Sequence, residues 1–588
     1  MKKNLRLPLL LSAFLFIKPG IIKAQVNVQD SLALVDLYNS TDGPHWTNNN
    51  NWLTTKPLYI WYGIGIYNNR VNSLDLSNNN LSGTLPASLN NLTNIYAYRL
   101  DNNHLIGSIP DLSSNTFSLQ QLYLNDNNLS GGIPENLGAT GDIRIIQLQN
   151  NNLTGEIPSS MLRNAGTVNA SNNQLSGNLP SFGFIGSLTY LSLSNNKFTG
   201  SIPDAFGDIY GLLDLYLDHN NFTGTIPPHL SASHSLQNLD LSYNKLTVTI
   251  LAELANMYLT RLYLGHNMLT GRFPAQLASP DSTHSGNSYY IKVLSVEYNQ
   301  LTGKLPPFKL KVCATLNLSN NEFKDIIPVS LGSVTTLQRL DMSNNKLEGV
   351  IPSSFANLSN LKYLNLNNNK MVGPVPEFFS SLQQLTSLNL LNNYFTFDGI
   401  EYLAEQNFVF NYDHQKRTSL HLTNNNKLSV YAGGTLTNNR YKWFRNGNLV
   451  ATIFGDSTYI PIQSGIYNVQ VTNSIAKALI LRSDAVTFTA VKTVEQHNIA
   501  AVKSNNKSNF SIYPNPAKTT ATIAFNATGK YTLKLTDISG TVLQTKTGTG
   551  VNDKNILQLD VSKYAAGVYF VIISNGQNEM QTLRLTKE

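Results

Sequence analysis

Between residues 72 and 412 the apolar positions recur in one short phrase. Leu74-Asp75-Leu76-Ser77-Asn78-Asn79-Asn80-Leu81-Ser82-Gly83-Thr84-Leu85-Pro86 returns as Leu122-Tyr123-Leu124, Asn127, Leu129-Ser130-Gly131 and Ile133-Pro134. It returns again as Leu340-Asp341-Met342, Asn345, Leu347-Glu348-Gly349 and Ile351-Pro352. The asparagine at its centre occupies Asn79, Asn103, Asn127, Asn151, Asn173, Asn196, Asn220, Asn244, Asn267, Asn299, Asn321, Asn345, Asn369 and Asn393. These positions step by 22 to 24 residues, apart from one step of 32. A fixed period of that length predicts stacked repeats. The Leu-x-Leu alternation predicts a short strand with leucines inward and the middle residue outward. Asparagine follows where the chain turns inward, and its amide can both donate to and accept from main-chain groups that would otherwise be buried unpaired. The next apolar residue returns to the core, glycine relieves backbone strain, and proline fixes an extended second edge. One coil cannot cover its own apolar face, but its neighbours can. About five inward side chains per coil, at roughly 1.5–3 kcal/mol each, outweigh the lack of disulfides.

The pattern has departures. Val248 and Leu251 stand where other repeats have Gly and Pro, and Asp325 replaces another Gly. Residues 279–290 are extra, and Cys313 falls at an inward leucine position, which predicts a buried, inert thiol. After Asn393 the phrase decays, and residues 408–412 are expected to close the array. From 413 to 490 the period changes to two, as in Gly465-Ile466-Tyr467-Asn468-Val469-Gln470-Val471, and Trp443 is a core candidate. About seven short strands are expected there. Residues 491–510 read as a linker. Strands return after Tyr513-Pro514-Asn515-Pro516, with alternation in Tyr531/Leu533/Leu535 and Val568/Phe570/Ile572.

These motifs carry two resemblances. The phrase Leu-x-Leu-x-x-Asn-x-Leu-x-Gly-x-Ile-Pro resembles the plant-type leucine-rich repeat over 72–412. Residues 25–71, with Leu34, Leu37, Trp46, Trp52 and Trp61, resemble that family's N-terminal cap without its cysteine pair. The expected fold class is a leucine-rich-repeat solenoid of short parallel strands in a twisted superhelix, followed by two all-β immunoglobulin-like sandwiches, at 413–490 and 511–588. Tyr513-Pro514-Asn515-Pro516, Asp537-Ile538-Ser539-Gly540 and Ala566-Gly567-Val568-Tyr569 resemble the type IX secretion sorting domain of Bacteroidetes bacteria. That resemblance implies the type IX secretion machinery as a partner of 511–588. It also implies removal of that domain, then release or attachment to surface lipopolysaccharide.

The N-terminal residues support export. A basic start, an apolar run of about a dozen residues and Ala24 predict a secretory signal peptide over 1–24. No apolar run is long enough to span a membrane. The formal charge of +7 contains five basic residues from that segment. The remainder is close to neutral, so a nucleic-acid partner is not expected. A single cysteine excludes an intramolecular disulfide and a thiolate metal cluster. No metalloprotease, nucleophile-elbow or phosphate-loop motif occurs, so neither an enzyme nor a cofactor or metal site is expected.

Binding leaves a clearer trace. Aligned coils place equivalent outward residues in columns. The column just before the ladder asparagine is Asn or Asp throughout, except for His219, Tyr243, His266 and Tyr298 on four consecutive coils. Tyr216 and Tyr263 lie in the column between the leucines, with Asp240 between them. Asp214, Asp218, Arg261 and Glu297 are close by. Exposed aromatics among polar groups suit stacking on sugar rings or anchoring a peptide. The expectation is an adhesin-like binding protein, secreted or at the outer cell surface, with an extracellular protein or polysaccharide ligand on the concave face. A structural surface or matrix component, and an inhibitor of secreted enzymes, are the alternatives.

Overall fold

The computed structural model describes residues 26–490 and 511–588, apart from 116–117, 139–142, 164, 182–186, 281–290, 527–528, 539–540, 551–554 and 576–579. The expected signal peptide, the linker at 491–510 and most of the insertion at 279–290 lie outside the described residues. The chain forms two compact units that divide between Ala490 and Val491.

In the first unit, the Leu-x-Leu segments stack in register as one 16-stranded sheet. The opening strand, Ile64–Tyr67, runs antiparallel to Arg70–Asp75, and all later neighbours are parallel up to Val409–Asn411. Leu215 pairs with Leu239 and Tyr216 with Asp240, so inward leucines and outward residues each form straight columns. Glu-, Lys- and Gly-bearing second edges form further parallel sheets of six, two and five strands.

The asparagines sit at the inner turn and are buried. Asn220 is representative: its Nδ2 donates to the carbonyls of Leu193 (2.9 Å), Leu217 (3.2 Å) and Asp218 (3.1 Å). Its Oδ1 accepts from the Phe198 amide at 3.1 Å. One side chain thus satisfies groups on two coils. The ladder starts on Asn48, whose amide and carbonyl both bond Asn79. It runs one rung past the expected edge at 412. Gln415 donates to Leu390 and Tyr412 carbonyls and accepts from the amides of Asn393 and Phe395.

The N-terminal end is closed by helix Val28–Ser40 and an aromatic cluster in place of a disulfide. Trp46 and Trp52 meet edge to face at 4.8 Å, with Tyr38 and Trp61 beside them. The fully buried Asp30 takes two bonds from Arg70 and one from the Val71 amide. Cys313 is buried, and burial pushes its thiol up to about 12.

Beyond the solenoid, eight antiparallel strands form two sheets. One holds Leu420–Leu422, Leu428–Val430 and Thr458–Tyr459. The other orders Asn448–Phe454, Asn439–Arg445, Gly465–Asn473 and Ile480–Arg482, and Val486–Phe488 also pairs with Gly465–Asn473. Trp443 is fully buried and stacks on Tyr459 at 5.4 Å. This domain shares one continuous apolar core with the repeats. Asp398 accepts from the Gly434 amide and the Tyr431 hydroxyl, while Glu401 accepts from the Thr435 amide and the Asn473 side chain.

The second unit has its own core and two antiparallel sheets, of three and four strands. Strands Gly529–Thr536 and Val542–Gly550 run longer than their alternation shows, because threonines and lysines continue the hairpin beyond the apolar positions.

Candidate ligand-binding strip

The residue before each ladder asparagine is left-handed. Its φ lies between 50° and 59° in all fourteen coils, from Asn78 to Asn392. Asn and Asp tolerate that conformation better than other side chains, which explains why they fill the column. His219, Tyr243, His266 and Tyr298 adopt it as well, with φ of 52°, 52°, 55° and 50°. Backbone preference therefore works against Tyr243 and Tyr298, by about 1 kcal/mol each, whereas histidine tolerates this region better.

The four rings form an unbroken stack. Successive centroids are 4.0, 3.8 and 4.1 Å apart, with planes within 18° of parallel. That is tighter than the roughly 4.8 Å between coils, so the rings lean together. The arrangement corrects one expectation. The facing surfaces of these rings are occupied by each other, and they present edges outward rather than faces for a sugar. Tyr243 and Tyr298 remain 43% and 52% exposed.

Tyr216 and Tyr263 stand outside the stack, half-buried in the adjoining column. Tyr216 touches Tyr190 at 5.7 Å with the planes tilted by 50°. Burial raises all three phenols above their ordinary value, Tyr216 to about 12. Tyr190 was not read from the sequence. Its signal was outward alternation in Tyr190-Leu191-Ser192, one coil before the aromatic column begins.

Carboxylates frame these rings. Asp218 accepts from the Ser194 hydroxyl and contacts His219 Nδ1 at 2.9 Å. Asp214 accepts from the Asn238 amide at 2.5 Å and from Tyr216 at 3.4 Å. Asp240 accepts from the amide and hydroxyl of Ser242. Burial is the largest influence on Asp240 and pushes it up to about 6, with Asp218 adding to the effect. Glu297 lies over Gly265, where any Cβ would fall 2.4 Å from its Oε1. Arg261 donates to Asn238 at 3.1 Å. Burial lowers His266 below the ordinary imidazole value and His219 adds to that shift, while Glu297 opposes it. The strip thus combines four carboxylates, one guanidinium and six aromatic or imidazole rings on adjacent coils. It offers hydrogen-bonding edges and negative charge. Among the described residues no cluster of His, Cys, Asp or Glu has the arrangement of a metal site.

The leucine-rich-repeat family matches residues 186–246 and 335–395, and a second description of the same repeat matches 70–92, 118–139 and 314–334. The secretion system C-terminal sorting domain matches 511–587. No curated protein matches the chain. Among solved structures, that of PEPR1-AtPEP1 is 26% identical with a TM-score of 0.57, covering 66% of this chain and 58% of that one. A TDR receptor is 26% identical with a TM-score of 0.51, covering 57% and 59%. A Leptospira interrogans leucine-rich-repeat protein is 27% identical with a TM-score of 0.42, covering 59% and 79%. The chain spans less than two thirds of the length of the first two. No helix among the described residues is long and apolar enough to cross a membrane. The chain is a leucine-rich-repeat protein carrying a type IX sorting domain, which directs it through that secretion machinery to the outer cell surface.

Proposed function

We propose that this is a non-catalytic, adhesin-like binding protein that takes an extracellular protein or glycan on the concave face of its solenoid. The ligand meets Tyr216, Asp218, His219, Tyr243, Arg261, Tyr263, His266, Glu297 and Tyr298. One observation carries this reading: four stacked rings occupy backbone positions that elsewhere hold asparagine or aspartate, beside two further tyrosines and four carboxylates. Two of the solved structures, one titled PEPR1-AtPEP1 and one titled a TDR receptor, agree with a binding role for such a solenoid. The sorting domain is removed on export, and the mature protein is released or attached to surface lipopolysaccharide. Mass spectrometry of medium and cell surface would find 511–588 absent from both fractions; its retention there would refute processing.

The domain at 413–490 is immunoglobulin-like in this reading. Trp443 is its core tryptophan, and the Tyr467 hydroxyl bonds back to the Gln463 carbonyl at 2.7 Å, as in a tyrosine corner. Buried Val469, two residues later, stands where a disulfide cysteine would be.

A glycan and protein array probed with the full chain tests the function. Discrete hits are expected, and the combined substitution Tyr216→Ala, Tyr263→Ala and His266→Ala should weaken them at least roughly thirtyfold, as for anchor residues. Circular dichroism should show the fold retained. Unchanged binding by that variant would remove the site, and an array without hits would favour a structural surface role.

A further inference from the structure

We propose a second binding site, on the outer face of the larger sheet of the 413–490 domain, for an acidic polysaccharide whose sugars carry carboxylates. It is separate from the concave strip and does not depend on it.

The charge distribution points there first. Residues 25–412 hold 18 Lys+Arg against 26 Asp+Glu, whereas residues 413–490 hold 8 against 3. A net +5 in a short domain follows a net −8 in the repeats. Strand alternation then places the cations. In Asn439–Arg445, Tyr441 and Trp443 are buried, so Arg440, Lys442 and Phe444 face outward. Their cross-strand partners share that face: Arg440 pairs with Thr472 and Phe454, Lys442 with Gln470 and Thr452. Gln470 in turn pairs with Arg482, and Thr472 with Ile480.

The result is a flat surface of cations, amides, hydroxyls and apolar groups. Lys442, Gln470 and Arg482 form one row across three strands, which spaces the two cations by about 10 Å at the backbone. Arg440 lies over the Phe454 ring at 5.5 Å, and that ring is 69% exposed. None of the three cations forms an ion pair among the described residues. No carboxylate lies on the strands of this face; the nearest in sequence are Asp456, two residues beyond Asn448–Phe454 and bonded to the Thr458 amide and hydroxyl, and Asp484, two residues beyond Ile480–Arg482. Spaced cations bind repeated carboxylates, while Asn468 and Gln470 offer amides to hydroxyl groups and Phe454 offers a ring face.

Retention of the full chain on alginate beads, with elution by sodium chloride, tests the assignment. Binding at low salt is expected, and neutral dextran should retain nothing. Replacing Arg440, Lys442 and Arg482 together by Ala should weaken binding about tenfold, the product of three exposed charge contacts. The corresponding Gln variant, which keeps more of each side chain's bulk, should show the same loss and an unchanged melting temperature. Lys304→Ala, Lys324→Ala and Lys346→Ala, which remove equal charge from the repeats, should leave retention intact. The proposal is overturned by failure to bind alginate or by an equal loss in the repeat variant. Displacement by double-stranded DNA as effective as that by free alginate would also overturn it, marking a general polyanion surface.

Discussion

Two stretches of one column share a backbone and differ in everything built on it. Around Asn344 and Asn368 the left-handed residues join side chain to side chain, Asn368 Nδ2 donating to Asn344 Oδ1 at 2.6 Å. Around His219 to Tyr298 the same φ angles carry a stack of aromatic rings beside carboxylates, one of them Asp240, which burial holds near pH 6. The first stretch agrees with local preference, and the second departs from it in both conformation and ionisation. Departures of this kind, gathered on adjacent coils, are where a structure carries cost that folding does not require. The ladder asparagines beneath are the same in both stretches, so the scaffold is indifferent to which side chains stand above it.

That indifference can be broken experimentally. Asn220→Ala, under the rings, and Asn345→Ala, under the amides, each orphan buried carbonyls and an amide and should cost about 3 kcal/mol or more. Equal losses by chemical denaturation are expected. A much larger loss at Asn220 would mean that the rings take part in the fold.

Asp240 gives a smaller effect with a pH signature. Its folded pKa is raised above the ordinary carboxyl value, so ionisation opposes folding. The folded state binds more protons between about pH 4 and 6, so stability falls with rising pH across that window and is level above it. Asn169 and Asn317 occupy the same column and accept the same bonds from Ser171 and Ser319, so asparagine fits there. Asp240→Asn should therefore gain about 1–2 kcal/mol at pH 7.5 and nothing below pH 4. Thermal melts at the two pH values check this, and a gain independent of pH would show that burial of charge is not the cause.

The smallest effect comes from moving a ring. Asn344→Tyr puts an unstacked phenol in a left-handed position and should cost about 1 kcal/mol. Tyr243→Asn restores the preferred residue but removes two stacking contacts, worth roughly 0.5–1.5 kcal/mol each, and should be close to neutral or slightly destabilising. A stabilised Tyr243→Asn would show that the stack contributes less than the strain.

Much of this was legible in the sequence, for identifiable reasons. The period and the Leu-x-Leu alternation place strands, ladder and columns because each coil repeats the same packing problem. The ladder's end was missed because Gln415 makes the same amide bonds with a different letter. The ring stack was read as a row of separate aromatics, since alternation reports direction but not the lean that closes 4.8 Å spacing to about 4 Å. The union of repeats and sandwich through Asp398 and Glu401 joins residues 33 to 72 positions apart, beyond any local pattern. The phrase Gly-x-Tyr-x-Val occurs at both Gly465 and Gly567 and carries the same bond in each: Tyr569 donates to the Ala565 carbonyl as Tyr467 does to that of Gln463.

Amide hydrogen exchange on the full chain, with and without an array-identified ligand, addresses the binding strip most directly. Slowed exchange should concentrate on the strands and turns of 214–219, 238–243, 261–266 and 293–298. Protection centred on the asparagine coils at 315–393, or on the second-edge sheets, would contradict it.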